Sequence, residues 1–425
     1  MPAGLVDAGL SSLATFAVGV AAAQLFTAST LGVYAVFFTS YQLGLVLPMF
    51  LIYLPAEVKA VAREMGHRLP ILRSSLPVGF IASLLSLASV GLAILVVWGK
   101  ASQETVLILA VTAVVPTLLM PAQAHIRRML HIDGQSWRAA SISAAQLVFA
   151  LIGLVIMVRL DVPDTAVPFG AFGIAAGASL VTGLVLAASL HEGNGASVVW
   201  RELVASGRWL LVTGMAPNLA GFAIAAIIGT LAGTAALGYA EGARLVAQPL
   251  MVLGVGLNAS LGPRSMEAGY EGNRRKARRV AKAFIMLIGA AMFGYLLIGG
   301  VAWSWNPLTA LVPQAYEVTG LAATTIVASA MAGVVLPNQR ELYGGGYEKR
   351  LAMVDVAANV FGVLWSTTAA FTGAFARPLS LGASNAWRGV HYQKVLNKMY
   401  AARSPSERAA AAAAVAAVPQ ENTLS

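Results

Sequence analysis

The chain has no cysteine. Disulfides, thiolate nucleophiles and Cys-ligated metals are therefore excluded. Charge is nearly as scarce. Asp, Glu, Lys and Arg make up 11% of the 425 residues, whereas soluble domains carry about 25%. Histidines are few and scattered: His67, His125, His131, His191 and His391 form no HExxH and no pair at metal-ligand spacing. They are expected to be ordinary interfacial residues at inner span ends and loops. No Walker lysine follows Gly344, Gly345 and Gly346, so built-in ATP hydrolysis is not expected. Neither a metal nor a cofactor is expected. The opening MPAGLVDAGLSS lacks a basic n-region, so the first apolar stretch is expected to be a retained span rather than a signal peptide.

What the chain has is long apolar runs. Hydrophobic residues make up 58% of it, and the runs divide into about twelve stretches of membrane-spanning length, ~20 residues each. They are read at 8–28, 34–56, 76–98, 106–123, 139–158, 167–190, 209–231, 237–261, 283–302, 318–336, 351–371 and 374–395. Pro48, Pro217 and Pro249 fall inside spans, where kinks are tolerated.

Positive charge falls in every second gap. The basic gaps hold Lys59, Arg63, Arg68 and Arg73, then Arg127, Arg128 and Arg138, then Arg201 and Arg208. Arg264, Arg274, Arg275, Lys276, Arg278, Arg279 and Lys282 follow, then Arg340, Lys349 and Arg350. The C-terminal end adds Arg388, Lys394, Lys398, Arg403 and Arg408. Opposite gaps hold Lys100, Arg159 and Arg377, and Arg244 lies within a span. Because cytoplasmic loops retain Lys and Arg, both termini are expected in the cytoplasm. Trp98, Trp303 and Trp305 fall at outer span ends, where an aromatic belt belongs. The net charge of +10 is spread between spans with no basic domain, so nucleic acid is not an expected partner. Anionic membrane lipids are, above all for the Arg274–Arg279 cluster, read as a cytoplasmic linker.

The chain repeats itself. At a shift of 206, Leu13, Ala14, Phe16, Ala17, Leu25, Leu31 and Gly32 meet identical residues, and at 212 Arg128, Leu130, Gly134 and Arg138 meet Arg340, Leu342, Gly346 and Arg350. An even number of spans per half gives a parallel repeat about an axis along the membrane normal. The expected fold is all-α and integral to the membrane, with two six-helix lobes at 1–195 and 196–398 and a cytoplasmic Ala-rich tail at 399–425. The tail opens with a capping-box pattern, Ser404 and Glu407. The cleft between two such lobes suits alternating access.

Arg244 is the leading candidate site residue, because charge at membrane depth costs ~2.5–3.5 kcal/mol and must face protein or water. Glu241 lies three residues earlier on the same helical face and Gln248 one turn further on, with Asn258 deeper. Arg244 can pair internally with Glu241, contact an anionic substrate, or do both in turn. Tyr34, Tyr41 and Gln42 in span two and Asn218 in span seven suit sugar hydroxyls, or equally interhelical hydrogen bonds. Asp7, at the head of span one, and Asp355, read as facing Arg350 with Asn359 one turn on, are candidates for proton coupling.

Three segments carry a family resemblance. LVDAGLSSLATFAVGVAAAQLFTASTLGVYAVFF resembles the first helix hairpin of Wzx-type polysaccharide flippases of the multidrug/oligosaccharidyl-lipid/polysaccharide exporter (MOP) superfamily. HIRRMLHIDGQSWRAA resembles their loop after the fourth helix, and GYAEGARLVAQPLMVLGVGLNASLGPR their eighth helix. The resemblance implies two rocking six-helix lobes that move an undecaprenyl-diphosphate-linked oligosaccharide to the outer leaflet. It also implies a cavity lined by helices one, two, seven and eight, a pyrophosphate contact falling on Arg244, and polysaccharide assembly proteins as partners. Two alternatives stand beside it: a drug or metabolite exporter of the same superfamily, and a membrane glycosyltransferase or ligase. The outer gaps are short for the loops an enzyme would need.

Overall fold

The structure is a computed structural model that describes residues 2–61, 68–190, 200–299 and 311–402. Among these residues every regular element is helical. A hydrocarbon core offers no partner to backbone N–H and C=O groups, so a spanning segment must satisfy its own.

α1 (Pro2–Leu25) and α2 (Ala28–Pro48) are joined by a short turn in which Thr27 caps α2, accepting from the Thr30 N–H at 3.3 Å. Pro48 lacks the N–H that would continue the ladder. The next residues, Met49–Tyr53, form a π turn that leads into α3 (Leu54–Val61). α4 (Arg68–Leu85) and α5 (Leu87–Val97) together make the third span. α6 (Gln103–Ile132), α7 (Ser136–Arg159) and α8 (Val167–Ala188) complete the first half.

The second half holds α9 (Trp200–Leu231), α10 (Thr234–Glu271), α11 (Arg274–Gly299), α12 (Leu321–Val334) and α13 (Leu336–Gly344). It ends with α14 (Glu348–Ser366), the short α15 (Ala369–Thr372) and α16 (Ala376–Ala402). Among the described residues, nine helical segments are long and apolar enough to span alone, and two bent pairs meet that test jointly. One pair is α10 itself, bent by 47°. The other is α14 with α16, and its contacts run antiparallel: Asp355 meets Tyr392, Asn359 meets Arg388, and Gly362 packs on Ser384. That pair is a hairpin turning at Gly373, whose φ is +57°, and with both bent pairs the described residues hold up to eleven candidate spans.

Both described chain ends lie at the basic end of the bundle. Asp7 of α1 meets Arg127 and His131 near the C-terminus of α6, and Tyr400 of α16 meets Glu341 and Arg274. Large apolar side chains face outward, Leu95 at 72% and Ile81 at 66% exposure among them. In water such a surface would drive association; in lipid it is the expected exterior.

The internal repeat is legible in three dimensions. α2 begins at Ala28 and α10 at Thr234, a shift of 206. At their crossing, a Cβ on Gly32 would stand 1.8 Å from the Thr234 carbonyl oxygen, and one on Gly238 would stand 1.8 Å from that of Ala28. The two contacts are exchanged by the repeat shift, as a two-fold axis between the lobes requires. Only glycine permits this approach, the small-residue packing that membrane helices use in place of a hydrophobic drive. The second repeated segment behaves alike. Gly134 and Gly346 take φ of +81° and +78°. The Gln135 and Tyr347 N–H groups close back on the Leu130 and Leu342 carbonyls at 2.8 and 3.1 Å.

Several expectations are corrected. Arg274–Arg279 is no linker but the opening of α11, continuous with a span. α16 continues through Ala402 with Met399 fully buried, so residues 399–402 belong to the lobe rather than to a tail. His125 is not interfacial: it is fully buried, stacked on Tyr53 at 4.2 Å and 3.2 Å from Glu57. Asp355 does not face Arg350; it accepts from Arg388 at 3.1 Å and from Tyr392, both brought by the hairpin. Arg63, His67, His191, Trp303, Trp305, Arg403, Ser404, Glu407 and Arg408, and the boundary between lobes at 195 and 196, lie outside the described residues.

A candidate site between the lobes

The site forms on α10, α2 and the start of α16. Arg244 lies ten residues into α10, about 15 Å along it at 1.5 Å per residue, which is mid-membrane. Its Nε and Nη2 donate to Glu241 Oε1 at 2.9 and 2.6 Å, and its Nη1 donates to Gln248 Oε1 at 2.8 Å. The i−3 and i+4 spacing on one helix makes this fork readable from sequence. Its other ligand is not readable. Arg377, counted above as an outer-gap residue, lies in the first turn of α16 and donates to Glu241 Oε2 at 2.5 Å. Glu241 is 1% exposed and serves both guanidiniums, whose side chains keep 22% and 19% exposure. The cluster thus carries one positive charge in surplus. Arg244 is not the only cation in the interior, as the charge tally had implied.

α2 supplies the facing wall. Phe38 sits under the Arg244 guanidinium at 5.5 Å, a cation–π distance. Tyr34 and Gln42 lie one turn to either side of Phe38 on the same face. By the shift of 206, Phe38 corresponds to Arg244 and Gln42 to Gln248, so the site straddles the pseudo-two-fold axis. Gln42 is half-buried and makes no hydrogen bond among the described residues. Tyr34 is 1% exposed and packed against Phe26, Phe38 and Phe169, behind the site rather than in it. Tyr41 is buried in the same aromatic stack, against Phe169 and Phe172.

The remaining candidates lie apart. Asn218 donates its amide to Gly214 O of its own helix at 3.0 Å. Asn258 accepts from Arg340 at 3.2 Å, toward the basic end. Asp7 is buried and accepts from Ser143 at 2.5 Å and His131 at 3.0 Å, with Arg127 at 3.5 Å. Asp355 sits in the α14–α16 hairpin. No cluster of metal-ligating side chains occurs among the described residues.

At the end away from the basic loops the lobes are tied together. Ser29 and Thr234 share a 2.7 Å hydrogen bond, Lys100 donates to Thr230 at 2.7 Å, and Gln24 donates to Leu311 O at 3.3 Å. Tyr316 donates to Phe26 O and packs on Gly242 beside Glu241. Burial, reinforced by Tyr239, pushes the Tyr316 phenol up to about 12, so it remains a donor. The strap 311–317 therefore roofs the charge cluster.

The fold recurs in solved transporters. A multidrug resistance MATE family transporter of the MOP superfamily in an inward-facing conformation superposes with a TM-score of 0.74 at 12% identity, covering 94% of this chain and 100% of that one. The chain has the fold of the MOP-superfamily transporters. An outward-facing MATE transporter of that superfamily gives 0.61 at 14% identity, over 94% of this chain and 95% of the other. A MOP superfamily transporter from Pyrococcus furiosus gives 0.60 at 13%, over 93% and 94%. No family model and no curated protein matches the sequence.

Proposed function

We propose that this protein is an alternating-access exporter that carries an amphipathic anion across the bacterial cytoplasmic membrane. The observation that carries the reading is the surplus charge of the Glu241–Arg244–Arg377 cluster at the seam between two repeated lobes. A carboxylate or phosphate entering beside Glu241 gains charge-assisted hydrogen bonds from two partly exposed guanidiniums. A cation there meets Glu241 already shared by both. In the Pyrococcus furiosus transporter, reverse polarity of the binding pocket suggests a different function; surplus positive charge argues here for an anion in the same way. The MATE neighbours favour a drug or metabolite exporter. Alternating basic loops favour cytoplasmic termini, and the exposed basic opening of α11 suits anionic headgroups.

A second reading is the Wzx-type flippase. An undecaprenyl-diphosphate-linked oligosaccharide is itself an amphipathic anion. Its diphosphate would meet Arg244 and Arg377, its sugars Gln42 and Gln248, and polysaccharide assembly proteins would be its partners. No feature of the described residues favours the glycosyltransferase or ligase reading.

Binding tests the proposal. The purified protein in nanodiscs is titrated with an anionic and a cationic fluorescent amphiphile of similar size. Saturable binding of the anionic probe is expected, weakened about tenfold or more by Arg244→Gln. Preference for the cationic probe overturns the reading. Accumulation of lipid-linked repeat units on the inner leaflet of a deletion strain selects the flippase over the metabolite exporter.

A further inference from the structure

The α14–α16 hairpin holds a second polar cluster, apart from the one between the lobes. Arg388 stands at its centre. Its Nε donates to Asp355 Oδ1 at 3.1 Å, its Nη1 to Asn385 Oδ1 at 2.9 Å and its Nη2 to Asn359 Oδ1 at 2.6 Å. Tyr392 donates to the same Asp355 oxygen. These bonds fix which way both amides point, because a guanidinium can only donate. The Nδ2 groups of Asn359 and Asn385 are therefore turned away from Arg388, and neither has an acceptor. The Ser384 hydroxyl and the Trp387 indole N–H, on the same stretch of α16, are buried and unpartnered as well. Asn359, Asn385 and Ser384 are 8%, 2% and 5% exposed.

Orphaned buried donors are costly, ~1–3 kcal/mol each, and several in one place call for an acceptor. A cation does not fit. Both amide oxygens are taken by Arg388, and one carboxylate oxygen by Arg388 and Tyr392. Every buried unmet group of the hairpin can donate, and a guanidinium adjoins them. Asp355, at the edge of the cluster, keeps 24% side-chain exposure. A cavity of about 500 Å³ lined by Met266, Gln339, Arg340, Tyr343 and Glu348 lies at the basic end of this lobe.

We infer that the α14–α16 hairpin holds a buried site for a small inorganic anion of the halide class, seated on the Asn359 and Asn385 amides beside the Arg388 guanidinium. The site is independent of the transported substrate, and its role is to complete the hydrogen bonding that holds the hairpin together.

The test uses the full-length protein in detergent, exchanged into gluconate and titrated with chloride at constant ionic strength. The melting temperature should rise and saturate, and Asn385→Leu and Asn359→Leu should each raise the half-saturating chloride concentration about tenfold or more. Wild-type crystals soaked in bromide should show an anomalous peak within hydrogen-bond reach of Asn385 Nδ2; this measurement stands even where a leucine variant does not fold. A melting temperature indifferent to chloride, variants that titrate like wild type, or a hairpin without bromide, its donors facing water only, would overturn the inference.

Discussion

At the scale of single residues, the four cations outside the basic loops each have a structural reason. Lys100 ties the lobes at Thr230, Arg159 closes the last turn of α7 where a cation suits the helix dipole, and Arg244 and Arg377 share Glu241. Glu241 is consequently the residue whose loss costs most. Glu241→Ala leaves two guanidiniums without their counter-charge in the interior, a change worth about 3–5 kcal/mol for a buried pair. A clear drop in the melting temperature of the detergent-solubilised protein is expected. Arg377→Ala should cost less, since Arg244 still neutralises Glu241. Equal losses from the two variants would show that the cluster does not act through shared charge. Arg244, Glu241 and Gln248 were legible in the sequence because they lie three and four residues apart on one helix. Arg377 was not, because only the hairpin turn brings it 136 residues back to Glu241. The misreading of Asp355 has the same cause: Arg350 is near along the chain, whereas Arg388 is near across the hairpin.

At the scale of elements, the α2–α10 crossing is where sequence and structure speak most directly to each other. The repeated Leu–Gly pairs at Leu31–Gly32 and Leu237–Gly238 were visible as a match at a fixed shift. That the two glycines meet the opposite helix's backbone could only come from three dimensions. Gly32→Val should force the crossing apart, because its Cβ would overlap the Thr234 carbonyl. Gly4→Val, where a side chain meets nothing, serves as control. Loss of transport in the first with folding retained, and none in the second, is the expected pair of results. The Tyr316 strap makes a further prediction. A phenol whose pKa is raised to about 12 is held in its neutral, donating form. Its contribution is whole below the ordinary tyrosine range and fades only as pH climbs through about 12. Closure of the strap, read by the rate of a cross-link between the lobes, should therefore be flat across physiological pH and slowed by Tyr316→Phe. A pH-dependent rate that Tyr316→Phe abolishes would contradict this.

At the scale of the whole molecule, the seam ties the lobes at the end opposite the basic loops, with the charge cluster directly beneath. Alternation then requires this seam to part. Because the chain has no cysteine, introduced pairs report without background. Ser29 and Thr234 are opposed closely enough, with hydroxyl oxygens 2.7 Å apart, for Ser29→Cys and Thr234→Cys to oxidise to a disulfide of ordinary geometry. Oxidation should stop transport and reduction should restore it. A third cysteine at Gln42, half-buried on the wall facing Arg244, then asks from which side the site is open. With the seam locked, a membrane-impermeant thiol reagent should label Gln42→Cys in inside-out vesicles and leave it unlabelled in right-side-out ones. With the seam reduced, labelling from both sides should appear as the lobes exchange states. If the locked protein labels from the outer side, or if the lock leaves transport intact, the two lobes do not alternate about this seam, and the exporter reading loses its mechanism.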